Sequence, residues 1–216
     1  MTTKDDRELV LDRLLDAPRR NVWRCWTEPE LITRWFAPAP WTTPRAEVDL
    51  RPGGASRVVM ASPEGEEFPS NGIYLEVVPN EKLVFTDAYV GGWKPSEKPF
   101  FTAVIELADE GGKTRYVATA RHWTMEDKEA HEKMGFQEGW NLCANQLEKL
   151  ANPSEREGRA RAWSGHGHSR SGNGTGRWRQ LHRPVSFSQY NRLQPECARC
   201  GSVFSCCSPV SRGPGR

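Results

Sequence analysis

The period of the apolar positions changes along the chain, and each change marks an element. Residues 7–16 mix Leu9, Val10, Leu11, Leu14 and Leu15 with charged residues and predict a first strand. Pro18 then predicts the first turn of a helix, with Asp16 as its cap and Val22, Trp23 and Trp26 at helical spacing. Thr27-Glu28-Pro29-Glu30 has the form of a capping box with proline in the first turn. It predicts a second short helix to about Phe36, striped by Leu31, Ile32, Trp35 and Phe36. Pro38, Pro40 and Pro44 stop helix formation, because proline has no N–H to donate and clashes with the preceding turn.

From 45 to 124 the punctuation is that of an antiparallel meander. Strands are expected near 44–50, 55–62, 72–78, 82–89, 100–108 and 114–123. They are separated by Gly53-Gly54, Pro63-Glu64-Gly65, Pro79-Asn80, a longer loop at Gly91-Gly92-Trp93, and the hairpin signal Asp109-Glu110-Gly111-Gly112. The last segment reads as one long helix from Thr124, its N-cap with Asp127 in the capping-box position, to about Ala151. Phe136, Trp140, Cys143, Leu147 and Leu150 form its apolar stripe, and Gly135 and Gly139 share a line beside it. The whole is an α+β pattern: a curved antiparallel sheet of about seven strands around a long C-terminal helix, with two short helices after the first strand.

Composition divides the chain at about residue 152. Residues 1–152 carry 19 Lys and Arg against 25 Asp and Glu, whereas residues 153–216 carry 11 Arg, no Lys and 3 Glu. Of those last 64 residues 30 are Arg, Ser or Gly and only Leu181 and Leu193 are leucine, too little apolar surface to offset the entropy of folding. We therefore expect a folded domain over 1–152, sufficient by itself, and a disordered tail over 153–216. The tail has three readings. It is a basic nucleic-acid arm with Trp163, Trp178 and Tyr190 to stack on bases. Or it is a zinc site drawn from Cys197, Cys200, Cys206 and Cys207 with His182. Or it is the product of a frameshift or readthrough. The tail apart, nothing points to nucleic acid. No window is apolar enough to span a membrane. The N-terminus has no secretion-signal core. Cys25 and Cys143 stand far apart, so a reducing cytoplasm is expected.

Four stretches together carry a resemblance: Asp16-Ala-Pro-Arg-Arg-Asn-Val-Trp23, Trp26-Thr-Glu-Pro-Glu30 with Trp35-Phe36, Asp49-Leu-Arg-Pro-Gly-Gly54, and Gly135-Phe-Gln-Glu-Gly-Trp140. Over about residues 7–151 the chain resembles the Activator of Hsp90 ATPase homologue 1-like branch of the START-like, or SRPBCC, superfamily. The resemblance implies a helix-grip (Bet v 1-like) fold in which sheet and C-terminal helix enclose an apolar cavity. Ligand binders, lipid carriers, cyclases and stress-related proteins share that fold, so it implies less about activity.

The aromatic residues either build the core or line a pocket, and the resemblance implies the pocket. Trp35, Trp41, Tyr74, Phe85, Trp93 and Trp140 are candidate lining residues, since small-molecule sites are mostly apolar with a few placed polar groups. Arg57 and Asp87, on neighbouring parts of the meander, are a candidate pair for orienting a ligand, or else a surface salt bridge. His122 ends the last strand on the Ala118 and Ala120 face, whereas His131, among Glu129, Glu132 and Lys133, is expected in solvent. Neither histidine has the spacing of a metal set. There is no nucleophile elbow, P-loop or dinucleotide fingerprint, and no cofactor is implied. The first expectation is a domain that binds a small apolar or amphipathic molecule without catalysis. The second is a chaperone-associated regulator with a protein-binding surface around Gly53-Gly54 and residues 91–99. The third is a small cyclase or lyase using His122 or Asp87.

Overall fold

The computed structural model describes residues 6–152. The three readings of the tail and its expected disorder concern 153–216 and lie outside the described residues.

Strand β1 (Glu8–Leu15) is followed by helices α1 (Arg19–Thr27) and α2 (Pro29–Ile32), then by β2 (Thr42–Val48), β3 (Ala55–Ala61), β4 (Glu67–Val78) and β5 (Lys82–Thr86). Two two-residue strands, β6 (Tyr89–Val90) and β7 (Lys94–Pro95), make a small hairpin in the long loop. Then come β8 (Phe101–Glu110), β9 (Lys113–His122) and helices α3 (Met125–Lys133) and α4 (Phe136–Ala151). One seven-stranded sheet, in the order β1-β9-β8-β5-β4-β3-β2, is antiparallel throughout. Helices α1 and α2 carry the chain from one edge strand to the other, and α4 packs on α1 and β1. This is the expected helix-grip arrangement. No helix among the described residues is long and apolar enough to cross a membrane.

Two register shifts bend the sheet. One falls in β2 between Thr42 and Arg45, where Pro44 has no N–H to give the ladder; the other falls in β4 at Leu75. Strand β4 is the longest, and it changes partner midway. Residues 67–73 pair with β3, whereas 73–78 pair with β5. Beyond Thr86 the sheet is therefore open beside the first half of β4. Gly72 sits at that point, where a Cβ would collide with the carbonyl oxygen of Thr86.

Several local expectations are corrected. Pro18, not Asp16, occupies the N-cap position of α1, and Asp16 instead binds Glu148 Oε1 through its backbone N–H at 2.7 Å. The capping box at Thr27 is not formed, because its hydroxyl donates to Trp23 O at 2.9 Å, and α2 begins from Glu28. The C-terminal helix is two helices. Gly135 adopts φ 89°, in the left-handed region that terminates helices, and separates α3 from α4. The cap at Thr124 is as expected: its Oγ1 accepts from Asp127 N at 3.1 Å.

The core has two parts. The larger unites β1, α1, β8, β9 and α4 through residues such as Leu15, Val22, Ile105, Ala118 and Leu147. The smaller is Ala37, Trp41, Met60 and Phe68, under the β3 and β4 end of the sheet. Phe36 packs against both.

Candidate functional site

Between these two clusters lies a cavity of about 100 Å³. Trp26 from α1 and Trp35, Phe36 and Trp41 from the segment after α2 form one wall. Phe85, Phe101 and Tyr116 of the sheet form the floor, and Gly139, Trp140 and Cys143 of α4 close the other side with Phe136. Trp26 and Trp35 meet edge to face, with centroids 4.7 Å apart at 70°, and the Phe136 and Trp140 rings lie 4.8 Å apart, tilted by 37°. No lining side chain carries a full charge at neutral pH.

The wall facing α4 is held by Gln146. Its amide nitrogen donates to Trp35 O and Ala37 O, both at 2.8 Å, and its Oε1 accepts from Ala39 N at 3.0 Å. The Cys143 thiol adds a hydrogen bond to Phe36 O at 3.2 Å, and burial pushes its pKa up to about 12. It is thus a protonated, unreactive part of the wall. Trp35 is fixed from behind, its indole N–H donating to Cys25 O at 2.9 Å. Burial pushes the Tyr116 hydroxyl far above its ordinary pKa, so it stays a donor.

A smaller space of about 30 Å³ adjoins the cavity at the open stretch of the sheet beside β4. The two share Trp26, Phe36, Ser70, Phe85 and Phe101 as walls. Its own lining mixes Ile32, Val58 and Gly72 with the polar residues Ser56, Asn71, Tyr74, Thr86 and Asp87. Asp87 accepts from the backbone N–H of Phe100 at 2.9 Å and of Phe101 at 3.2 Å. Burial outweighs these bonds and raises its pKa to about 6.

Of the nine residues singled out from sequence, Trp35, Trp41, Phe85 and Trp140 line the larger cavity, and Tyr74 and Asp87, with Phe85, line the smaller. His122 lines neither, but its Nε2 lies 2.9 Å from Nδ1 of His131, which does line the larger cavity. His131 corrects the solvent-exposed expectation: it is 3% exposed and the one buried residue of α3. Two residues stand apart. Arg57 lies directly across from Glu47 in the β2–β3 register and bonds to it at 3.1 Å, so the Arg57–Asp87 pair does not exist. Trp93 is 57% exposed; its ring covers Gly53 and touches Tyr89, away from both cavities. Sequence reasoning passed over Trp26, Phe101, Tyr116, His131 and Gln146. For Trp26 the helical spacing with Val22 and Trp23, and for Phe101 and Tyr116 the strand pattern, were usable signals; for Gln146 there was none. Among the described residues no three of His, Cys, Asp and Glu converge as a metal-ligand set.

Residues 16–152 match the family described as Activator of Hsp90 ATPase homolog 1-like protein. A crystal structure of a protein from Nitrosomonas europaea is 42% identical, with 73% of this chain and 99% of that one aligned at a TM-score of 0.67. A Mycobacterium smegmatis protein matches at 22% identity and a TM-score of 0.60, over 71% of this chain and 95% of its own. A protein from Aeromonas hydrophila, described as AHSA1-like, matches at 20% and 0.51, over 76% and 99%. These last two bear on the fold alone. Among curated proteins none matches. With its family model covering well over half of the sequence, the chain belongs to the Activator of Hsp90 ATPase homolog 1-like family.

Proposed function

We propose that the protein binds a small, uncharged or amphipathic molecule of about one ring in the cavity between its two core clusters. The observation that carries this reading is the cavity wall itself: an enclosure of aromatic rings and thioethers with no charged side chain. Volume sets the class. About 100 Å³ is well under the ~300 Å³ at which drug-sized sites begin. It is nearer the ~150 Å³ of an apolar cavity that takes up benzene. A sterol or a long acyl chain does not fit without rearrangement. Native mass spectrometry of the full chain purified from its own cells tests this. A reproducible adduct of roughly one to two hundred daltons, lost when Trp140→Ala opens the wall, supports it. A bare mass, together with no uptake of added single-ring compounds, rejects it.

A second reading is favoured by a different observation. Trp93, Tyr89 and Leu50 are exposed around the Gly53 turn, where a protein partner such as a chaperone would find aromatic anchors. Loss of partner capture in Trp93→Ala, with ligand uptake intact, would favour this surface.

A further inference from the structure

The smaller cavity raises a question that the larger one does not: what satisfies Asp87. Its carboxylate has about four lone-pair positions, and the described partners are the N–H groups of Phe100 and Phe101. Among the described residues no cationic side chain pairs with it, since Arg57 is turned to Glu47 across the neighbouring strands. A half-buried carboxylate without a counter-cation is costly to keep ionised. It stands at the wall of a space of about 30 Å³, room for a group of one or two heavy atoms. The walls shared with the larger cavity include the rings of Trp26, Phe36, Phe85 and Phe101, and aromatic rings attract a neighbouring cation.

We propose that the two cavities are one site for an aromatic amine, with the ring between Trp26, Phe101 and Trp140 and the ammonium against Asp87. This rests on the cavity reading above and narrows it. The ammonium supplies the donors and the charge that Asp87 lacks, while the ring displaces whatever fills the apolar chamber. The distribution of polarity supports that orientation. Ser56, Asn71, Tyr74 and Thr86 stand at the smaller space among apolar residues such as Ile32 and Val58, so the remaining ammonium hydrogens find acceptors there, whereas the chamber offers few. A carboxylic acid of the same size would place like charges together. A neutral hydrocarbon would leave the carboxylate as it is.

The test uses the full chain and two compounds of nearly equal shape, benzylamine and ethylbenzene, titrated by tryptophan fluorescence and by calorimetry. Benzylamine is expected to bind at least about tenfold tighter in the wild type, because only it neutralises the buried carboxylate. In Asp87→Asn that preference should vanish, the loss falling on benzylamine. A second measurement needs no variant: the carboxyl carbon resonance of Asp87 should move on adding benzylamine and stay put with ethylbenzene. Equal affinities in the wild type, a preference that survives in Asp87→Asn, or an unmoved carboxyl resonance overturn the amine assignment while leaving the chamber a binding site. Failure of both compounds to bind overturns the chamber reading itself, and this proposal with it.

Discussion

His122 Nε2 and His131 Nδ1 lie 2.9 Å apart in a buried contact between the end of β9 and the single inward-facing residue of α3. The other ring nitrogen of His122, Nδ1, is 3.0 Å from the Arg7 carbonyl oxygen. A carbonyl only accepts, so Nδ1 of His122 carries a proton. Burial lowers both pKa values and keeps both imidazoles neutral at pH 7, so His122 Nε2 accepts, the proton between the rings belongs to His131, and the pair is a directed chain from helix to ring to backbone. Phe100, Phe101, Phe136 and Trp140 pack around His131. Burial, with His122 adding to it, pushes its pKa down to about 3, and burial also lowers that of His122.

The first prediction is the pH dependence that follows. In the unfolded chain His131 takes up a proton near 6.5, but in the folded one not until about 3. The unfolded state thus holds more protons below 6.5, so stability is complete above that value and falls as pH drops through the window to 3. His131 alone should remove about 2 kcal/mol between pH 6.5 and 5. Denaturant melts across that range, compared with His131→Phe, check it. The variant should lose this slope, and an unchanged slope would show that α3 is not held by this contact.

Two glycines four residues apart should respond in opposite directions. Gly135 has φ 89°, so Gly135→Ala places a Cβ in the left-handed region and should destabilise by about 1 kcal/mol or more. Gly139 lies inside α4, is buried, and lines the larger cavity. Gly139→Ala should add about 1 kcal/mol of helix preference, fill part of the cavity, and weaken uptake of single-ring compounds. Thermal melts and ethylbenzene titrations on both variants separate the roles. A lower melting point for Gly139→Ala would mean that Gly139 meets backbone and not open space.

This pair also shows where the sequence was legible. The strands could be read because glycine, proline and asparagine punctuate them, and the run from β2 to β9 follows from antiparallel connections in series, whereas β1 joins β9 across the length of the chain. The break at Gly135 could not be read: the apolar stripe from Phe136 to Leu150 is regular, and before it residues 125–133 offer no stripe to interrupt. His131 was hidden for a related reason. Its neighbours Glu129, Glu132 and Lys133 look solvated, and its burial comes from β9 and α4. Arg57 was misplaced because its partner is fixed by the register after the β2 irregularity, which sets Glu47 opposite it. Aromatic character located Trp35, Trp41, Phe85 and Trp140, but Trp93 shares that character and covers Gly53 on the outside. Composition identifies candidates for a cavity; only the packing of one strand or helix on another decides which face it.

Gln146 should be the most sensitive polar residue of α4. It satisfies three backbone groups of residues 35–39, and deleting it leaves those groups without partners at the cavity rim. Gln146→Ala should cost about 2–3 kcal/mol. Gln146→Glu should cost more, because a carboxylate cannot donate to Trp35 O and Ala37 O and sets a charge against both. Chemical denaturation ranks the three proteins. If the Glu variant matched the wild type, the amide bonds would not be what holds the rim.

Asp87 opposes the histidines in the pH balance. Its pKa is raised to about 6 in the folded state from 3.8, mainly by burial, so between those values the folded chain holds a proton that the unfolded chain has released. Stability contributed by this group is present below 3.8 and is lost as pH rises to 6, the reverse of the trend set by His131. Asp87→Asn removes that term. Relative to wild type the variant should therefore gain about 2 kcal/mol on going from pH 4 to pH 7, whatever its offset at either end. Its own acid limb should be steeper, since the Asp87 term that opposes His131 is gone. Paired denaturant curves at pH 4, 5, 6 and 7 measure the difference directly. A constant offset would mean that the Asp87 carboxyl ionises as easily in the fold as in water, with its charge already balanced.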